Sequence, residues 1–249
     1  MLQTCLNCGN NFEGHYCSGC GQKATVKRIT GRVLLEEIIH FFTHLEKGFL
    51  HTTWNFLVRP GLISINYLEG KRKRYQKPIS YFLIWTGLYI LAHNIIIDYF
   101  HYSLNDKDPL LPGLSEKANL LLRSHFTSFI IPLLLVSALL LYFVVAKPIY
   151  NFTEVLTLCL YGGGTYFMML FVSDIVMGCI FRINILSINI FSWQTILSSL
   201  YNFWFAFDLF KRVRIRFFWL RLIATTFLVT IAGWFVLVYL PQAWFYITG

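Results

Sequence analysis

The stretch Ile79–Ile97, ISYFLIWTGLYILAHNIII, runs for 19 residues without a Lys, Arg, Asp or Glu. A helix of about 20 apolar residues matches the roughly 30 Å hydrocarbon core of a bilayer. Because lipid offers no hydrogen-bond partners, such a segment must be a helix that satisfies its own backbone. The sequence therefore predicts an all-α integral membrane protein with five transmembrane helices in residues 79–249: Ile79–Ile97, Phe126–Ala146, Val155–Phe181, Ile185–Phe207 and Phe217–Leu240.

The composition of the whole chain supports a membrane environment. Of 249 residues, 56% are apolar, 18% are aromatic and 13% are charged, against about 25% charged residues in soluble proteins. These values exclude a disordered chain, a coiled coil and a disulfide-rich secreted miniprotein. The aromatic side chains exceed what a core of this size would hide, so we expect many of them to face lipid.

The positive charges predict the orientation in the membrane. The net charge is +9, and Lys and Arg mark cytoplasmic connections. With the N-terminus inside, the cytoplasmic segments hold 17 Lys and Arg against four on the opposite side. We expect a multi-pass protein of a bacterial inner membrane, with a cytoplasmic N-terminus, an outer C-terminus and anionic lipids as partners. A nucleic-acid partner is disfavoured, because it would need a soluble basic surface.

Four cysteines near the N-terminus form two C-x-x-C-G knuckles, Cys5–Gly9 and Cys17–Gly21. Two thiolates in each tight turn supply the four ligands of a closed tetrahedral Zn²⁺ site, and the glycines permit the positive φ that such turns need. Residues 1–25 are therefore predicted to be a zinc ribbon with one structural Zn²⁺ on Cys5, Cys8, Cys17 and Cys20. A module of this size would take most of its folding free energy from the metal.

Three other chemistries are possible for these cysteines: disulfides, a thioredoxin-like redox pair and an iron site. Disulfides need an oxidising compartment, which the predicted topology denies them, and a thioredoxin-like site needs a βαβ context. A rubredoxin-like iron site uses the same four sulfurs and is the main alternative to zinc. His15 is interpreted as a surface residue, and Cys159 and Cys179 as packing residues of the third span.

Residues 26–78 are predicted to form cytoplasmic or interfacial amphipathic helices. Val33–Leu45, Phe49–Val58 and Leu62–Leu68 are too short to span a bilayer, and Arg59–Gly61 is typical of a turn. A soluble helical hairpin packed on the zinc ribbon is the alternative. The i, i+4, i+8 spacing of Glu36, His40 and His44 is a weak candidate for a second metal site. Their more ordinary interpretation is the polar face of an interfacial helix.

Two basic clusters lie on the predicted cytoplasmic side. Holding the topology is a sufficient role for them. The stronger hypothesis is a headgroup or phosphate pocket, since each Lys or Arg near an anionic surface contributes about 1 kcal/mol. Its predicted members are Lys71, Arg72, Lys73, Arg74, Arg212 and Arg214.

Polar residues inside the spans are candidate functional residues, because burying them in lipid is costly. Asp174 is the clearest, as a proton or cation site or as a structural hydrogen-bonding residue, and His93 and Asn94 are its predicted partners. Gly162–Gly164 allows either close helix packing or local unwinding at a binding site. Glu154 and Asp208 stand at cytoplasmic span ends, where a charge can reach water at little cost, and both are interpreted as interfacial.

The motifs of the first 90 residues resemble an uncharacterised bacterial membrane family. They are the two knuckles with Gly21-Gln22-Lys23, then Arg59-Pro60-Gly61, Tyr67-Leu68-x-Gly70-Lys71-Arg72 and Tyr75-x-x-Pro78. The resemblance implies an N-terminal zinc ribbon followed by several spans, in a domain of unknown function. The layout is also similar to the Yip1 membrane-trafficking proteins, but architecture alone carries no function.

Three function classes follow from these features. The first is a membrane-anchored adaptor or assembly factor whose zinc ribbon and basic region bind a cytoplasmic protein or anionic headgroups. The second is a transporter, channel or lipid-handling protein that uses Asp174 and Gly162–Gly164. An enzyme is disfavoured because nucleophile, phosphate-loop and dinucleotide motifs are missing from the sequence, although His40 and His44 would line the cavity of a lipid-acting enzyme.

Overall fold

A computed structural model describes residues 2–26, 28–31, 48–102, 126–146, 149–186, 188–213, 217 and 219–231. The described chain is mostly helical and carries one small antiparallel sheet near the N-terminus. Two parts are named below by their residues. The cysteine module comprises residues 2–31, and the helical body comprises residues 48–231.

The elements follow the predicted order. In the cysteine module, strands β1 (Gln3–Thr4) and β2 (Asn11–Phe12) pair with Gln3 opposite Phe12. The helical body contains α1 (Phe49–Val58), α2 (Pro60–Leu68), α3 (Pro78–Phe100), α4 (Phe126–Leu141), α5 (Phe152–Asp174), α6 (Ile188–Val213) and α7 (Trp219–Ile231). Helix α4 continues as a π-helix over Tyr142–Ala146, and α5 continues as another over Ile175–Ile180.

Two helices of the described chain are long and apolar enough to cross a membrane, which corrects the prediction of five. They are Pro78–Phe100, of 23 residues, and Phe152–Ile180, of 29 residues. Both begin within three residues of the predicted spans. Pro78 stands at the start of its helix, where its missing N–H costs nothing.

The other three predicted spans are helical, but the described residues identify none of them as membrane-spanning by length and composition. Helix α4 has 16 residues and its π-helical continuation has five more, and α7 has 13 described residues. Helix α6 is long enough at 26 residues, but Asn, Gln, Ser, Thr and Asp side chains along it lower its hydropathy. Residues 232–240 of the fifth predicted span lie outside the described residues.

An aromatic core holds the helical body together where α1, α3 and α5 meet. The Phe56 and Tyr161 rings stack with centroids 4.3 Å apart, and Tyr81 lies 5.6 Å from Tyr161. All three side chains are fully buried. Tyr81 and Thr165 also share a hydrogen bond of 3.1 Å between their hydroxyls, so the polar tips of this core are paired.

The three glycines of α5 serve close packing. A Cβ at Gly164 would lie 2.6 Å from the Tyr81 ring, one at Gly163 would lie 3.1 Å from Phe82, and one at Gly162 would lie 3.2 Å from Phe205. The helix is continuous through all three positions. The local unwinding that a transporter site would need therefore does not occur at these glycines.

The α1–α2 hairpin is packed into the helical body on one side. Thr52 accepts a hydrogen bond from the Gln76 N–H at 2.8 Å, and the Trp85 indole donates to Thr53 at 3.1 Å. The opposite side of α1 exposes Leu50, Trp54 and Val58 at i, i+4 and i+8. This arrangement leaves one apolar stripe outward, while Ile29 of the cysteine module is buried in one cluster with Phe56 of α1 and Ile63 of α2.

Candidate metal centre and intramembrane polar site

The two knuckles have the same backbone geometry. In the first, the Gly9 N–H donates to the Cys5 carbonyl at 2.8 Å, and in the second Gly21 donates to Cys17 at 2.8 Å. Gly9 and Gly21 have φ angles of +73° and +70°, which a side chain would strain. The glycine of each C-x-x-C-G motif thus has the conformational role predicted for it.

The four sulfurs of the knuckles converge at metal-binding distance. Their Sγ atoms all lie within 4.8 Å of one another, with Cys5 and Cys20 at 3.6 Å and Cys8 and Cys17 also at 3.6 Å. Four thiolates at about 2.3 Å from one Zn²⁺ in a tetrahedron stand about 3.8 Å apart. The geometry fits one metal ion, and all six cysteines of the chain are free thiols.

The backbone favours the thiolate at Cys17. Burial raises the pKa of this thiol, but hydrogen bonds from the backbone of Cys20 and Gly19 outweigh burial and lower the pKa of Cys17 to about 7. A thiolate is the form that ligates metal. Phe12 is buried beside Cys5 and Cys17 and supplies the small apolar floor of the site.

Gln22 joins the cysteine module to the basic turn of the helical body, which comprises residues 70–74. Its side-chain amide donates to the Gly70 carbonyl at 3.0 Å and accepts from the backbone N–H groups of Arg72 and Lys73 at 3.2 Å. Gln22 is 5% exposed. The basic turn is therefore also the segment on which the cysteine module is held by hydrogen bonds.

A second joint links Arg28 to the start of α5. The Arg28 guanidinium donates to both Glu154 carboxylate oxygens, at 2.7 and 2.9 Å. The same carboxylate closes a capping box with Asn151, and the Asn151 side chain donates to the Ile29 carbonyl at 3.3 Å. Hydrogen bonding to Glu154 raises the pKa of Arg28. Glu154 is buried, which differs from the water-facing charge that its interfacial interpretation implied.

Asp208 is likewise buried, which also differs from its interfacial interpretation. Its Oδ2 accepts hydrogen bonds from the Gly61 and Leu62 N–H groups at 2.8 and 3.3 Å, and Arg212 donates to Oδ1 at 3.0 Å. A carboxylate at a helix N-terminus is stabilising. A Cβ on Gly61 would overlap the Asp208 backbone, so Arg59-Pro60-Gly61 begins α2 against α6 and does more than turn the chain.

The predicted headgroup residues fall into two groups. Lys71 contacts Glu69 and Asn66, Arg72 lies over the Tyr67 ring, and Arg212 pairs with Asp208. Lys73 and Arg74 are exposed. Internal pairing thus occupies three of the predicted members, while Lys73 and Arg74 face outward.

Asp174 meets His93 and a partner that the sequence analysis missed. The His93 Nδ1 lies 2.7 Å from Asp174 Oδ2, and the Gln194 side-chain N–H donates to Asp174 Oδ1 at 2.9 Å. Asp174 is 0% exposed. Asn94, the other predicted partner, is exposed. Gln194 stands on α6 among other polar residues, and its hydrophilic amide within a predicted span was the available signal.

Some predicted residues lie outside the described part of the chain. They are Glu36, His40 and His44 of the weak second metal site, together with Arg214. Among the described residues, the four-cysteine cluster is the one group of His, Cys, Asp and Glu side chains that satisfies metal-binding distances.

Comparison with known proteins gives one family match. A model described as "Protein of unknown function (DUF3667)" matches residues 46–90, a range that includes α1, α2, the basic turn and the first half of α3. Neither the curated proteins nor the solved structures include a match. The chain is thus similar to a family of unknown function over residues 46–90, which include the motifs from Arg59 to Pro78. The Yip1 likeness and a bacterial origin stay predictions.

Proposed function

We propose that this chain is a membrane-anchored adaptor or assembly factor, whose cysteine module binds Zn²⁺ and presents one fixed face to a cytoplasmic protein partner. The observation that carries the proposal is the double joint formed by Gln22 and by Arg28 with Glu154. A module held at two points keeps one orientation relative to the membrane, whereas a module on a linker would sample many.

The outward surface of the cysteine module supplies the proposed contact. Leu2 is 70% exposed and Tyr16 is 62% exposed, on a module whose own buried apolar residues are few. Tyr is enriched at protein interfaces, because its ring buries a large area while its hydroxyl stays paired. A zinc-stabilised surface with exposed Leu and Tyr suits a protein better than a small solute.

The proposed anchor includes more spans than the two that length and composition identify. Leu158 of α5 and Leu209 of α6 belong to one buried cluster near one end of the two helices, and Asp174 contacts Gln194 near the other end. Helices α5 and α6 are therefore antiparallel over about the same depth. If α5 crosses the membrane, α6 crosses with it, and its outward side carries a stripe of Trp193, Ile196, Leu200 and Phe203.

Lipid contact forms the second part of the proposal. The exposed Lys73 and Arg74 belong to the basic turn that follows the α1–α2 hairpin. Each basic residue contributes about 1 kcal/mol of attraction to an anionic surface. This arrangement supports a cytoplasmic cysteine module on a bacterial inner membrane. A reducing cytoplasm would keep the four thiols available for zinc.

Photocrosslinking in native membranes tests the adaptor role. A crosslinking amino acid placed at Glu13 should capture a discrete protein in the wild type. Leu2→Ser with Tyr16→Ser, which leaves all four cysteines in place, should lose that protein while retaining one zinc per chain. An equal yield from the double variant would contradict the proposed face. His15→Ala, next to Tyr16, is the matched surface control.

Transport or lipid handling is the second candidate, favoured by the buried Asp174 carboxylate. Its other predicted element, Gly162–Gly164, is used for packing and lends it no support. Asp174→Asn in reconstituted vesicles should abolish a solute flux or a lipid movement while the protein stays folded. Equal rates for both proteins would remove this candidate.

A further inference from the structure

A hydrogen-bonded polar cluster joins three helices of the helical body. Its members are His93, Asp174 and Gln194. His93 is on α3, Asp174 on α5 and Gln194 on α6, and both carboxylate oxygens of Asp174 are engaged. An ionisable side chain such as that of Asp174 is rarely buried in a membrane without a function. The cluster lies at the end of α5 opposite to its joint with the cysteine module, so its role is separate from the proposed adaptor function.

The depth of the site follows from helix geometry. Asp174 precedes the end of the π-helix at Ile180 by six residues, and His93 precedes the end of α3 at Phe100 by seven. At 1.5 Å per α-helical residue, His93 lies about 10 Å inside the end of α3, and Asp174, in contact with it at 2.7 Å, lies at a similar depth. Those ends are opposite the Arg28–Glu154 joint, which stands at the start of α5.

The donors around Asp174 decide which cation this site suits. A metal such as Na⁺ or Ca²⁺ needs several oxygen ligands directed at one point. Here a ring nitrogen and a side-chain N–H occupy the two carboxylate oxygens. Because a nitrogen partner lies at each carboxylate oxygen, the geometry disfavours a metal ion. It suits a carboxylate that shares a proton with the imidazole.

We propose that the His93–Asp174 pair is a proton-binding site that holds one proton at neutral pH. With that proton on either residue, the pair has no net charge. Without it, an ionised Asp174 would stay fully buried beside a neutral imidazole, which is unfavourable in a medium of low dielectric constant. The hydrogen bond that Gln194 donates to Asp174 favours the ionised carboxylate, and it therefore favours the proton on the His93 ring.

Among the described residues, two more titratable groups, both tyrosines, interact electrostatically with Asp174. They are Tyr89 on α3, whose ring centroid lies 5.3 Å from that of His93, and Tyr166 on α5. The Ser173 hydroxyl is buried without a hydrogen-bond partner among the described residues.

Backbone distortion at Asp174 adds an independent feature. The α-helix ends at this residue and a π-helix follows over Ile175–Ile180. Such π-helical turns occur often at functional sites. The His93 side chain is 23% exposed, whereas Asp174 is fully buried. The imidazole is therefore the member of the pair that reaches the surface of the helical body.

Spectroscopy on the purified full chain in lipid nanodiscs tests the proton count. Nitrogen NMR of histidine-labelled protein reports whether His93 is an imidazolium, and the infrared C=O stretch reports a protonated carboxyl. At neutral pH the wild type should show one of the two signals. Asp174→Asn should remove it and leave a neutral His93. Asp98→Asn, which changes an exposed carboxylate on α3, should alter neither signal.

Two results would overturn the assignment. One is a wild-type spectrum with neutral His93 and ionised Asp174 at neutral pH, since the pair would then hold no proton. The other is an imidazolium at His93 that survives Asp174→Asn. Should that variant fail to fold, His93→Gln provides the second test: the carboxyl band of Asp174 must then be present, and its absence contradicts the proposal.

Discussion

The cysteine module and the helical body are stabilised in opposite ways. The module buries Cys5, Phe12 and Cys17 and little else that is apolar, so the proposed metal ion on its four sulfurs would supply most of its stability. The helical body buries a continuous aromatic cluster around Phe56, Tyr81 and Tyr161. One part depends on a few strong bonds close in sequence, and the other on many weak contacts between distant segments.

This difference predicts how each part responds to a single substitution. Removing one metal ligand should unfold the module, because the remaining contacts are too few to hold it. Removing one core ring should weaken the helical body without unfolding it, because many neighbouring contacts remain. The following variants are ordered from the largest expected effect to the smallest.

Cys17→Ser should abolish the structure of the cysteine module. Structural zinc in small fingers contributes about 10–16 kcal/mol of folding free energy, and Cys17 is one of four ligands that lie within 4.8 Å of each other. The metal content should fall from one per chain to none, and protease sites within residues 2–26 should open. The helical signal of the body should stay the same.

Cys179→Ser is the control, since Cys179 is exposed and lies on the π-helix after α5. It should keep both the metal and the protease resistance. A Cys17→Ser protein that still binds one metal ion tightly would show that another residue completes the site, and would remove the four-sulfur assignment.

Phe56→Ala should be the most damaging change in the helical body. Phe56 is fully buried and stacked on Tyr161 at 4.3 Å, and a buried Phe→Ala change costs about 3–5 kcal/mol. Denaturant titration in micelles would measure the loss of unfolding free energy. Trp54→Ala, on the exposed side of the same helix, should cost far less, and equal losses would contradict the described burial.

Gly164→Ala tests whether the three glycines of α5 are there for packing. The new methyl group would lie 2.6 Å from the Tyr81 ring, and overpacking of this kind costs about 1–3 kcal/mol. Gly87→Ala on α3 is the matched control, because a Cβ there meets nothing within 4 Å. It should stabilise the helix by up to about 1 kcal/mol. Opposite signs in the same unfolding assay are the expected result.

The sequence predicted best what depends on neighbouring residues. The knuckle spacing of Cys5–Gly9 is a local feature, and the structure contains the predicted turn and sulfur cluster. The helix Phe49–Val58 has the predicted bounds for the same reason, since its pattern and its stop at Arg59-Pro60 are contiguous. Helix α6 misses the composition criterion for a span because it carries polar residues such as Gln194 and Asp208, and composition alone does not show that these two side chains face neighbouring helices.

Tertiary partners were beyond sequence reasoning. Glu154 and Asp208 were interpreted as interfacial, because charges at helix ends usually reach water. Arg28 and the α2 N-terminus bury them instead, and no local pattern indicates a partner 126 residues away. For the same reason, sequence reasoning had no basis for choosing one inward-facing polar residue of α6 among several; only the structure selects Gln194.

Gln22→Ala addresses the joint between the two parts and should have the smallest effect. Gln22 makes three hydrogen bonds to the turn Gly70–Lys73, and a hydrogen bond contributes about 0.5–1.5 kcal/mol net. Because water can replace these bonds at an opened joint, we expect a local loss of about 1–2 kcal/mol. Both the metal and the aromatic core should stay intact.

Hydrogen exchange separates this local opening from general loss of stability. The amide of Lys73, which donates to Gln22, should exchange about tenfold faster or more in the variant, as about 1.4 kcal/mol corresponds to a factor of ten. The amide of Arg72 also donates to the Gly70 carbonyl at 3.0 Å, so its exchange should accelerate less. Gln3→Ala removes a glutamine whose bond to the Gly14 carbonyl stays within the cysteine module, so it should leave those two amides unchanged. If Gln22→Ala instead released the metal, the cysteine module would depend on the helical body for its folding, and the two parts would be one cooperative unit.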